Sequence, residues 1–167
     1  MTSQRKYRIL HNIGDIQDEN YTSRDKIISC NDILTFDGVY KNVYENRDVL
    51  AGKDVILFIT GNYIGKDNSF DKGKPLEQFC TLKELDELFA MGCKIGWHTW
   101  SHRNLIELSD EEIDHEIKSM FPCDYFAYPF GGFNKKIVDK LINVGYRKAF
   151  SVNDGDNSDF QITREYL

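Results

Sequence analysis

With 167 residues, 41% of them hydrophobic, the chain is long enough for one well-formed core and too short for two ordinary domains, so residues 1–167 read as a single domain. A net charge of −6 and a pI near 5.2 exclude the basic surface on which nucleic-acid binding draws. No segment approaches the ~18 apolar residues of a membrane span, which excludes that class as well.

The opening stretch MTSQRKYRILHNIGD lacks the apolar run of a secretory leader, so a cytoplasmic location is expected. Its YRILH (7–11) reads as a first strand, followed by DILTFD (32–37) and DVILFIT (54–60), the last an apolar run suited to a strand covered on both faces. TLKELDELFAMG (81–92) predicts a helix: Thr81 and Glu84 form a capping box, Gly92 ends it, and Leu82, Leu85, Leu88 and Phe89 make one apolar face. CKIGW (93–97) returns as a strand. A second capping box, Ser109 with Glu112, opens a helix over 109–120 with Ile113, Ile117 and Met120 as its buried stripe. YFAY (125–128) is a strand, Asn134 to Val144 a helix stopped by Gly145, and RKAFSV (147–152) a strand. Strands alternating with helices predict an α/β domain with a largely parallel sheet. Cys30, Cys80, Cys93 and Cys123 lie far apart with no C-x-x-C pair, and read as reduced, mostly buried thiols.

In parallel α/β folds the working residues gather where strands end. His11, Asp37, His98 and the Pro129-Phe130-Gly131 turn all fall at such ends, so one rim is expected to collect them. His98 and His102, in GWHTWSH, are spaced like one helical turn, which lets two imidazoles reach one divalent ion, with Asp37 as the natural third ligand. The competing reading is that both histidines hydrogen-bond a loop packed by Trp97 and Trp100.

The stretches ILTFDGVYKNVYE, GWHTWSHRNL and FAYPFGGFN resemble the first three motifs of the polysaccharide deacetylase family, carbohydrate esterase family 4 or the NodB-homology domain. ITGNYIGKDN and LINVGYRKAFSV fit the same pattern, so the resemblance runs from about His11 to Arg164. It implies a distorted (β/α) barrel and metal-dependent removal of N-acetyl or O-acetyl groups from sugars. It also implies a divalent ion, zinc first among the transition metals, held by Asp37, His98 and His102. Asp37 is further implied as the base that accepts a proton from the attacking water, and the Phe130 backbone N–H as a donor to the oxyanion. The histidine that many members carry on a last strand is missing; members resembling a circular permutation place that strand first, and YRILHNIG fits with His11 as the acid, against a strand-end histidine satisfied by backbone. Trp100, Tyr128 and Phe133 stand nearest the motifs as sugar-stacking faces.

Two departures are visible. Where the family has adjacent aspartates, base then ligand, this chain has Asp37 and Gly38. Three arrangements follow: Asp37 binds the ion while another acid such as Asp15, Asp154, Asp156 or Asp159 is the base; Asp37 stays the base and two histidines hold the ion; or the site keeps a sugar cleft without hydrolysis. Ala127 stands where many members carry an arginine that orients the base, and Arg164 is the substitute, against a solvated terminal charge. The expected activity is therefore a metal-dependent carbohydrate deacetylase with a carbohydrate as its partner. The alternatives are a silent carbohydrate-binding module and a deacylase of a non-carbohydrate amide. His115 reads as a surface residue, and NDGDNSD as a loop.

Overall fold

The computed structural model describes residues 5–15, 18, 20–152 and 155–167. Seven parallel strands close into a barrel in the order β1 (Tyr7–Leu10), β4 (Ile33–Asp37), β5 (Val55–Ile59), β6 (Lys94–Trp97), β7 (Tyr125–Ala127), β8 (Lys148–Val152) and β9 (Ile162–Tyr166), with β9 pairing back onto β1. Two further short strands, β2 (Asn12–Ile13) and β3 (Tyr21–Thr22), pair beside the barrel. The crossovers carry α1 (Arg24–Ser29), α2 (Lys41–Glu45), α3 (Leu82–Ala90), α4 (Asp110–Glu116) and α5 (Lys135–Val144). Among the described residues no helix is long and apolar enough to cross a membrane.

Alternation along the strands divides the core in two. In β4 and β5 the residues Leu34, Phe36, Leu57 and Ile59 join the large cluster beneath the helices, which also holds Leu85, Leu88, Ile113, Ile137 and Leu141. Their neighbours Ile56 and Phe58 instead meet Ala127, Phe150 and Ile162 in a smaller cluster that fills the barrel. Gly96 makes that filling possible, because a Cβ there would stand 2.4 Å from Phe58 Cδ1. Thr35 and Asp37 share the inward side of β4, so the barrel interior is apolar at one end and polar at the rim where the strands finish.

Both predicted capping boxes form, and Gly145 closes α5 in the left-handed conformation at φ 109°. Two expectations about helices fail. Leu82 is exposed, because it is the first residue after the cap and precedes the turns that reach the core. The helix predicted over 109–120 stops at Glu116: its carbonyl, which a continuing helix would offer to Met120, accepts instead from Trp97 Nε1 at 2.9 Å and the Trp100 N–H at 3.0 Å. Met120 is accordingly exposed. All four cysteines are free thiols, Cys80 buried and the others half-buried.

Candidate active site

The C-terminal ends of all seven barrel strands meet at one cavity of about 240 Å³. His11 follows β1, Asp37 ends β4, Thr60 follows β5, His98 follows β6, Tyr128 follows β7, and Val152 and Tyr166 end β8 and β9; each lines the cavity, together with His102 and Phe130.

Asp37 is buried, and its carboxylate is gripped by the fully buried Arg164 guanidinium through Nη1–Oδ1 at 2.6 Å and Nη2–Oδ2 at 2.8 Å. The guanidinium is itself fixed, donating from Nη1 to Thr35 Oγ1 and from Nε to the Ser151 carbonyl, with its carbon 5.3 Å above the Phe58 ring. Burial alone would push the Asp37 carboxyl up; the Arg164 charge, His98 and the fork outweigh it and hold the carboxyl well below the usual range. Arg164 reaches this place because β9 lies between β8 and β1 and turns that side chain into the barrel.

Facing the carboxylate are the two imidazoles, their ring centroids 4.9 Å apart, with His98 Nε2 3.9 Å from Asp37 Oδ2. His98 Nδ1 lies 2.8 Å from the Ala127 carbonyl; since a carbonyl only accepts, Nδ1 carries the proton and Nε2 presents a lone pair to the cavity. Burial keeps both rings neutral, lowering His98 against the opposing pull of Asp37, and pushing His102 down to about 3 with His98 adding to the effect. The rings meet through a strained turn, not a helical one. Thr99 and His102 hold φ of 67° and 59°, and the His102 N–H donates to Thr99 Oγ1 at 2.9 Å.

What holds that turn is Glu116, a residue sequence reasoning passed over inside an acidic stretch. Its buried carboxylate accepts from the Ser101 N–H at 2.8 Å and from the Ser101 hydroxyl, while its carbonyl takes the two tryptophan donors described above. Trp100 is thereby packed beside His115, ring centroids 5.9 Å apart, and it does not line the cavity. Tyr128 reaches the cavity floor, but it is 1% exposed, donates its hydroxyl to the Phe160 carbonyl at 3.0 Å and lies against Phe133. Neither is a stacking platform for a sugar, which corrects the expectation for both. Tyr40, Phe79 and Phe70 line the cavity instead, in a stack that runs through Tyr63 with centroids 4.4, 5.6 and 3.9 Å apart in turn, and Phe70 lies 6.1 Å from His102. Phe130, at φ 59°, stands 73% exposed at the mouth with its ring 5.0 Å from His102; among the described residues its backbone N–H has no acceptor.

Asp15, Asp156 and Asp159 are exposed and outside the cavity lining, and Asp154 lies outside the described residues. His115 is exposed. Gly38, at φ 84°, brings no donor to the site. Among the described residues no three His, Cys, Asp or Glu side chains stand as a closed metal-ligating cluster. The donor chemistry nevertheless fits a divalent ion that takes nitrogen ligands, because two neutral imidazoles share the floor, one with its lone pair turned inward.

A parallel barrel whose carboxyl rim combines an arginine-held carboxylate, two neutral imidazoles and an open backbone N–H defines a hydrolase-type scaffold. The chain belongs to the polysaccharide deacetylase family: the model of that family, described as polysaccharide deacetylase, matches residues 31–149. Among solved structures the fold is similar to Streptococcus pyogenes deacetylase PplD in complex with acetate, at TM-score 0.79 and 15% identity, covering 98% of this chain and 92% of that one. It is also similar to IcaB from Ammonifex degensii, at TM-score 0.74, 16% identity and the same coverage of 98% and 92%. A 30.6 kDa protein in the fumA 3′ region of Geobacillus stearothermophilus is 28% identical over 131 residues, 70% of this chain; the alignment spans 44% of that relative's length.

Proposed function

We propose that the protein is a metal-dependent hydrolase that removes an acetyl group, N-linked before O-linked, from a sugar or polysaccharide precursor. The observation that carries the reading is the Arg164–Asp37 fork set opposite the neutral His98–His102 pair on the cavity floor.

His98 and His102 would supply the nitrogen ligands of a divalent ion, zinc being the fit for imidazole, with Asp37 Oδ2 the carboxylate oxygen near His98. When bound, such an ion supplies Lewis-acid polarisation of the acetyl carbonyl and acidifies water. Of the two roles open to Asp37, the fork favours that of proton acceptor. Both oxygens already accept from Arg164, which fixes the plane of the carboxylate and keeps it ionised, and an ionised acceptor is what an attacking water needs. The Phe130 N–H, preset at the mouth without a protein acceptor, donates to the oxygen on which negative charge develops. His11, which follows β1 and lines the same cavity, would return a proton to the leaving amine.

Gly38 favours a second reading, a carbohydrate-binding module without hydrolysis, because it leaves two nitrogen donors where a catalytic zinc site takes three protein ligands. The test measures zinc and cobalt binding to the protein and to His98→Ala, then acetate release from N-acetylhexosamine oligomers. The hydrolase reading expects bound ion lost in His98→Ala, and acetate release abolished in both His98→Ala and Asp37→Asn. Sugar bound with no acetate released by the metal-loaded protein establishes the binding module instead.

A further inference from the structure

We infer that Asn12 is a substrate-recognition residue, whose carboxamide binds a hydroxyl of the sugar unit presented to the histidine pair. This rests on the carbohydrate reading of the cavity and adds a residue to which the motifs assign no role. Asn12 is 4% exposed and lines the cavity between His11 and Tyr21. Its amide oxygen is buried and, among the described residues, has no hydrogen-bond partner.

The backbone of Asn12 is not free to turn that group elsewhere. Its N–H donates to the Asn20 carbonyl at 2.9 Å, β2 pairs it with Tyr21, and the following Ile13 is locked in the core while its N–H reaches Asn42 Oδ1 at 3.4 Å. A buried carboxamide left unpaired costs on the order of 1–3 kcal/mol, and native folds retain such groups where something else completes them. The segment 68–79 lines the same cavity and carries Asp71, Lys74 and Glu77, and the Tyr21 hydroxyl donates to Glu77. A carboxamide presents a donor at one end and an acceptor at the other, and a sugar hydroxyl, which both donates and accepts, complements either. Lys74 lines the same cavity as Asp71 and Glu77, and the Asp37 charge is offset by Arg164, so the partner is defined by the carboxamide itself: a hydroxyl-bearing sugar ring.

The experiment compares wild type, Asn12→Ala and Asn12→Ser, each loaded with zinc. Acetate release is measured on an N-acetylglucosamine oligomer and on 4-nitrophenyl acetate, which has no sugar hydroxyl, and oligomer affinity is measured separately by calorimetry. The expected result is a roughly 10-fold rise in KM and in the oligomer Kd for Asn12→Ala, the value of one hydrogen bond to a neutral partner. Partial rescue by Asn12→Ser, unchanged kcat and unchanged hydrolysis of 4-nitrophenyl acetate are expected alongside. Unchanged oligomer affinity in Asn12→Ala, or an equal loss on both substrates, overturns the inference. If the wild type binds oligomer without releasing acetate, the hydrolase reading fails while the calorimetric comparison still decides for or against Asn12. If the wild type binds no oligomer, both are overturned.

Discussion

Replacing Arg164 by methionine tests the centre of the site, because it removes the guanidinium and leaves its apolar surroundings filled. Arg164 is fully buried and makes four hydrogen bonds, two of them to the buried Asp37 carboxylate. Breaking a buried pair from one side costs about 3–5 kcal/mol, because it strands a charge. In a chain of this size each kcal/mol moves Tm by roughly 2–4 °C, so Arg164→Met is expected to melt about 6–20 °C below wild type at pH 7. The pH dependence identifies the cause. In wild type the Asp37 carboxyl lies below its unfolded value, so its stabilisation is present above the ordinary carboxylate range and is lost as pH falls. In Arg164→Met the burial that raises the carboxyl is opposed only by His98 and His11, so the carboxyl moves up from its wild-type position. Less stability is then lost as pH falls. The deficit of Arg164→Met relative to wild type should therefore shrink between pH 7 and pH 4, and Arg164→Met/Asp37→Asn should recover part of it at pH 7. Urea unfolding at both pH values measures this. A deficit below about 1 kcal/mol, or one equal at both pH values, refutes the buried pair.

Three further outcomes follow from the same geometry. Glu116→Ala strands the Ser101 N–H and hydroxyl and frees the strained turn between Thr99 and His102. Zinc affinity measured by chelator competition should fall at least about tenfold, with Glu116→Gln intermediate; affinity unchanged in both variants rules out the positioning role. Gly38→Asp adds a carboxylate beside Asp37 at φ 84°, with its Cβ 3.1 Å from Phe79 Cε1, so the metal-free protein should lose about 1–2 kcal/mol. Zinc affinity should rise nonetheless; no rise means that another group already fills the ligand position. Finally, His102 is pushed from 6.5 down to about 3. A depressed imidazole leaves stability unaffected above the unfolded value and removes it as pH falls between the two, because only the unfolded chain takes up the proton. Metal-free protein should lose up to roughly 4–5 kcal/mol from this residue between pH 6.5 and 3, and His102→Phe should lose less over the same range in urea titrations.

The strands β4 to β8 were legible because each is a short apolar run bounded by turn chemistry, and α3 and α5 because their caps and stripes agree. β9 was not recognised as a strand. QITREY has too few apolar residues to show a period of two, since its central inward position is an arginine whose partner is 127 residues away. Glu116 was hidden for a related reason: in DEEIDHEIK a charge reads as solvated, and only the packing of two tryptophans and Ser101 against it shows otherwise. Tyr128 and Trp100 illustrate the converse error. Proximity to a motif in sequence made them stacking faces, whereas Tyr40, Phe70 and Phe79 line the cavity, the latter two outside every motif stretch.

The missing second carboxylate and the aromatic wall are aspects of one arrangement. Gly38 adopts a left-handed backbone that glycine tolerates without cost, and the space its side chain would occupy is filled by Phe79 at 3.1 Å and Tyr40 at 3.6 Å from the Cβ position. Phe79 in turn begins the stack that ends at Phe70 near His102. A charged donor at position 38 would therefore displace the apolar face against which the cavity is built. With that donor absent, the floor retains one carboxylate and one guanidinium whose charges offset each other, and burial keeps the two imidazoles unprotonated. The geometry thus exchanges an acidic ligand for a hydrophobic surface, and the affinity of the histidine pair for an ion becomes the quantity that separates a hydrolase from a sugar-binding barrel.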